Sequence, residues 1–166
     1  MQARYKKAVM WALYALLMLT VFVIQGVVFG RTRYFGTKLS LLPVALACIA
    51  MHAGAENGGV FGLAAGTFWC LSGGDGAGLL ILLCTLCAVA VGYLCDRYLV
   101  RQLLSALLMS LLALVFCQTV LFLLQCYLGT IYIGMITALP VQIGLSMLAC
   151  PLLYLGAWAI RKVGAK

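Results

Sequence analysis

Between Lys7 and Arg31 the chain carries no charged side chain, so residues 8–30 form one continuous apolar run. About 20 such residues suffice for a helix to cross the hydrocarbon core of a bilayer, with some tilt for a longer run. Comparable runs recur to the C-terminus. Charged residues make up 8% of the 166 positions and apolar residues 66%, whereas soluble domains hold about a quarter charged and about half apolar residues. Too few polar side chains exist to cover a water-facing surface. The chain is therefore read as an all-α integral membrane protein, because a helix satisfies its own backbone inside lipid. Its length predicts a single polytopic domain over residues 1–166.

The apolar runs predict a six-transmembrane-helix bundle, with helices at about 8–30, 39–53, 58–72, 77–95, 102–126 and 134–160. The first run is taken as a retained helix, since it is too long for a signal peptide and lacks a clear cleavage site. Pro43 falls in the first turn of the second run, where a missing N–H costs little. The second and third runs are short for full spans. Around the polar residues His52, Glu56 and Asn57 they make either two thin spans or one re-entrant hairpin. Pro140 and Pro151 should kink the sixth run or break it in two.

The net charge of +8 would suggest nucleic acid in a soluble protein. Here the basic residues sit at the ends of apolar runs, where they set topology and meet lipid headgroups. No stretch interleaves basic and aromatic residues as a nucleic-acid surface would. With six spans and an inner N-terminus, the inner segments carry Arg4, Lys6, Lys7, Arg97, Arg101, Arg161, Lys162 and Lys166, and the outer ones only Arg31, Arg33 and Lys38. That bias predicts both termini in the cytoplasm.

Chemistry-bearing residues are sparse. The acids Glu56, Asp75 and Asp96 all fall in predicted loops, and His52 reads as a solvated turn histidine. Eight cysteines lie mostly within apolar runs, where cysteine acts as a small hydrophobe. Cys84 and Cys87 have CxxC spacing, but no second pair or histidine accompanies them and they fall in mid-helix. The amides Gln25, Gln118, Gln125 and Gln142 suit interhelical hydrogen bonds or the lining of a ligand pocket. Neither a phosphate loop nor a nucleophile elbow occurs. No catalytic residue, metal site or cofactor is expected, which leaves a membrane protein that binds a ligand or another protein.

One pattern stands out. Gly58, Gly62 and Gly66 recur every four residues and share one helix face, so a neighbouring backbone can approach closely. The stripe is the candidate helix-packing or partner face. Beyond it, Gly73, Gly74, Gly76 and Gly78 flank Asp75 and predict a tight turn.

From the first span to Leu128 the chain resembles the MreD family of bacterial rod-shape membrane proteins. The likeness lies in a first helix ending near Gln25 and a Leu-Leu-Pro entry at Leu41–Pro43. The glycine-striped Phe61-Gly62-Leu63-Ala64-Ala65-Gly66 follows, then Leu71-Ser72-Gly73 and the glycine turn to Gly78. Gly92-Tyr93-Leu94 before a basic loop, a long fifth helix and a basic tail complete it. Cys70 and Val44 stand where family members commonly carry acidic or polar residues, so no role of those groups is carried over. The resemblance implies a non-enzymatic scaffold of the cell-elongation machinery in the bacterial inner membrane, coupling peptidoglycan synthesis to the cytoskeleton. Its implied partners are an MreC-like protein, an MreB-like filament, a RodA-like synthase and a class B penicillin-binding protein, besides the lipid bilayer. The alternative is a substrate-binding subunit of an energy-coupling-factor vitamin transporter. Such subunits are similar in architecture and carry a small-residue face on the first helix, which Ala8 and Ala12 match weakly.

Overall fold

A chain this poor in polar side chains has to satisfy its backbone internally, and every described element is a helix. The computed structural model describes residues 2–29, 41–71, 77–98, 102–127 and 138–165. In chain order the helices are α1 (Gln2–Val23), α2 (Leu42–Ala53), α3 (Ala55–Leu71), α4 (Ala77–Arg97), α5 (Leu103–Tyr127), α6 (Ala138–Met147) and α7 (Cys150–Ala165). A π-helical segment, Ile24–Phe29, continues α1.

Among the described residues, four segments are long and apolar enough to cross a membrane: Ala8–Val27, Gly78–Arg97, Leu103–Leu124 and Gln142–Lys162. Between 22% and 33% of each is buried, so most of each faces outward. The outward side chains are those that lipid accepts, such as Leu16 and Leu19 on α1, Leu82 and Leu86 on α4, and Leu108 and Leu112 on α5.

The short α2 has the opposite character. Every residue from Leu42 to His52 is buried, and the helix packs against α1, α3, α4, α5 and α7. A helix that is apolar all round belongs in the middle of a bundle. At 12 residues it spans about 18 Å, short of a bilayer core of about 30 Å. The 17 residues of α3 reach about 25 Å. Six full-length spans are therefore not what the helix lengths give; four are.

Packing partners fix the directions. Gly54 adopts φ 89° and ψ 171°, and the chain reverses there. Gly58 then faces Ala50 on α2. On α4, Gly66 meets Ile81, Gly62 meets Thr85 and Gly58 meets Ala88, an antiparallel register. Trp11 and Tyr14 contact Phe61, whereas Phe22 contacts Phe68 and Trp69, so α1 runs parallel to α3. Cys48 faces Cys150 and His52 faces Tyr154, so α7 runs parallel to α2. The start of α1, the Gly54 turn, the end of α4 and the end of α7 thus share one end of the bundle.

Two sequence expectations need correction. The link between the second and third helices is not a polar turn of His52, Glu56 and Asn57. Only Gly54 is non-helical there, and Glu56 and Asn57 lie in the first turn of α3. An acidic residue suits that position because the helix N-terminus carries partial positive charge. Nor is His52 solvated: it is buried against the Tyr154 ring, with centroids 5.2 Å apart. The sixth run breaks in two, one of the two outcomes expected: α6 and α7 part at Leu148 and Ala149, just before Pro151. Pro140 and Pro151 each fall in a first helical turn, where no N–H bond is lost. The loops expected around Arg31, Asp75 and Tyr132 lie outside the described residues.

Candidate functional site

The glycine stripe is buried in the bundle. Gly58, Gly62 and Gly66 all face inward on α3. A methyl group on Gly66 would lie 2.6 Å from the Ile81 Cα, and one on Gly62 would lie 2.9 Å from both the Cys84 carbonyl oxygen and the Thr85 Cα. On Gly58 it would lie 2.7 Å from the Ala50 Cβ. These are backbone-to-backbone approaches that only a missing side chain permits. The face expected for packing or a partner is occupied by α4 and α2 of this chain.

Half of that interface was not recognised in the sequence. Cys84, Ala88 and Gly92 also recur every four residues and form the small-residue face of α4. Gly92 is so close to the turn that an added methyl would lie 2.6 Å from the Ala55 Cα. The signal was present as a second small-xxx-small pattern, written in cysteine and alanine rather than glycine.

Between α1 and α3 the packing is looser. The two helices meet through rings: Trp11 on Phe61 at 5.2 Å and Phe22 on Phe68 at 6.0 Å. The space between the rings is an outward-opening groove of about 200 Å³, lined by Ala15, Met18 and Phe22 on α1 and by Phe61, Ala64 and Phe68 on α3. Met18, Phe61 and Ala65 are its buried lining, and Ala15, Ala64 and Phe68 are its exposed lining. It has the dimensions and polarity to take apolar side chains or an acyl chain.

Two buried polar side chains, Gln25 and Ser110, bond within the bundle, whereas the buried Ser105 hydroxyl has no hydrogen-bond partner among the described residues. The Gln25 side-chain oxygen accepts the N–H of Leu41 at 3.2 Å and so caps the start of α2 from the π-helical segment. Ser110, fully buried, donates to the Leu107 carbonyl at 3.0 Å and lies 3.2 Å from the Cys150 sulfur. Gln118 is buried on α5, and Gln142 is partly buried on α6. The CxxC cysteines do not pair with each other: the Cys87 sulfur contacts that of Cys117 at 3.5 Å.

Basic residues at the common end sit on aromatic rings. The Arg97 guanidinium lies 5.8 Å from the Tyr93 ring centre, and the Lys162 amine 4.9 Å from that of Trp158. Such pairs suit a headgroup boundary. Among the described residues no group of three or more His, Cys, Asp or Glu side chains could hold a metal ion. No protein-family model, curated protein or solved structure matches this chain.

Proposed function

We propose that the chain is a non-enzymatic membrane scaffold of the MreD kind, seating the transmembrane helix of a partner protein in the groove between α1 and α3. The groove carries the reading. It is apolar, opens outward and is lined by small alanines among aromatic rings, and small residues suit helix docking in lipid. The ordered motifs from Gln25 to Gly92-Tyr93-Leu94 supply the family. The partner would be a bitopic MreC-like protein, with an MreB-like filament and a RodA-like synthase with its class B penicillin-binding protein in the same assembly.

The scaffold would cross the bacterial inner membrane six times, with both termini in the cytoplasm. Two features favour six passes. α2 begins beside Gln25, in the segment that ends the first long helix. Its turn into α3 lies at the other end, where Gly54 approaches the Asp96 carboxylate. The α2–α3 pair therefore reaches through the bundle despite its short helices. The clustering of Arg97, Arg161 and Lys162 at the end shared with the start of α1 favours a cytoplasmic assignment of that end.

Cross-linking in native membranes followed by mass spectrometry of the co-purified proteins tests the reading. Recovery of a bitopic MreC-like protein, lost in Ala15→Trp and Ala64→Trp variants of normal abundance, is the expected result. Both tryptophans would fill the groove from an exposed position. Recovery of paired ATPases with a coupling subunit, or retention of a vitamin by the purified chain, would replace the scaffold with the transport-subunit reading.

A further inference from the structure

The sulfur chemistry of the bundle is not used by the scaffold reading. Cys87 on α4 and Cys117 on α5 meet with their sulfurs 3.5 Å apart, one thiol donating to the other. A disulfide requires about 2.05 Å, so the sulfurs need to close by about 1.5 Å from the observed contact. Side-chain rotation supplies movement of that order. Cys117 is 3% exposed and Cys87 only partly buried, so Cys87 is the accessible member. Both lie inside segments apolar enough to cross the membrane, Gly78–Arg97 and Leu103–Leu124. Cys87 is ten residues from Arg97 at the basic end of α4, about 15 Å along the helix. A water-soluble oxidant does not reach that depth. A lipid-soluble one does, through the partly exposed Cys87 itself.

We propose that Cys87 and Cys117 are a redox modification site, which a lipid-soluble quinone converts into a disulfide joining α4 to α5. Two S–H bonds break and one S–S bond forms. Each sulfur gives up one electron, and the quinone takes both electrons and both protons to become the hydroquinone. Cys84 shares the CxxC spacing with Cys87 but faces α3 at Gly62, so it is not the partner. The product is a covalent staple between neighbouring helices whose other contacts are side-chain packing in lipid.

The test uses the full chain in liposomes, and its readout is the number of thiols that maleimide labels after denaturation in detergent, counted by intact mass. Cys150→Ala is the starting variant, because Cys48 and Cys150 also face each other. Should it not yield monodisperse protein, Cys48→Ala replaces it. Treatment with a short-chain ubiquinone is expected to lower the label count by two, with dithiothreitol restoring it and hydroquinone appearing in step. The drop should vanish when Cys87→Ala or Cys117→Ala is added and persist when Cys84→Ala is added. An unchanged label count, or a drop that survives loss of Cys117, overturns the assignment. Both results are independent of whether any partner helix binds the groove.

Discussion

At the scale of single residues, the stripe on α3 makes the sharpest prediction. Gly66→Leu and Gly62→Leu place carbon where the α4 backbone already is. Overpacking of this kind costs about 1–3 kcal/mol, and more where backbone must move. Both variants should lose thermal stability in detergent, whereas Gly144→Ala, with open space around it, should hold or gain up to about 1 kcal/mol through helix propensity. Melting followed by circular dichroism separates the two cases, and a Gly66→Leu midpoint equal to the parent would refute the close packing. The stripe was legible because glycines at a spacing of four name a face without help from the rest of the fold. Its α4 complement was not, because Cys84 and Ala88 read equally well as lipid-facing filler. His52 was misread for a related reason. Neighbouring Glu56 suggests water, but burial is decided by Tyr154, about a hundred positions away in sequence. As the only histidine, it offers a clean readout: diethylpyrocarbonate should modify it only once the bundle is denatured. Rapid modification of the native protein would place it at the surface instead.

Among the elements, the charge-free runs 77–95 and 102–126 correspond to α4 and α5, whereas α1 begins at Gln2 rather than at residue 8 and the run 134–160 is two helices. Composition alone determines that a run such as 102–126 becomes α5. The α2–α3 pair was not legible in the same way, since its geometry depends on one glycine and one amide. Gly54 holds a positive φ with an extended ψ, a combination essentially confined to glycine. Gly54→Ala should cost about 1–3 kcal/mol, seen as a lowered midpoint of unfolding. Gln25 acts at the opposite end of α2. Gln25→Leu removes the acceptor that Gln25 gives the buried Leu41 N–H among the described residues, and an orphaned buried donor costs about 1–3 kcal/mol. The signature of that loss is faster hydrogen exchange at the start of α2, with α5 unchanged. Uniform exchange across both helices would mean the hydrogen bond has no local role. Apolar runs reveal that a helix exists. They do not reveal which one is central, and α2, from one of the two shortest runs, is the one that five others enclose.

For the whole molecule, the question is how a bundle with four full-length helices disposes of two short ones. Lipid imposes no cost on the outward leucines of α1, α4 and α5, so those helices can be long and mostly exposed. α2 meets protein on every side, which frees it from matching the bilayer thickness. Direction then becomes testable. If the Gly54 turn shares the cytoplasmic end with the start of α1 and the end of α7, a cysteine at Glu56, an exposed position, should be shielded from membrane-impermeant maleimide in intact cells and labelled after permeabilisation. A cysteine at Asp75, in the link between α3 and α4, should be labelled in intact cells. Both are made in a variant without native cysteines that remains monodisperse. Equal labelling of the two positions from outside would make α2 and α3 a hairpin entering from one face. The chain would then cross four times, and the basic ends of α4 and α7 would stay on the side of the N-terminus, because a hairpin that enters and leaves by one face does not change the side of the segments that follow.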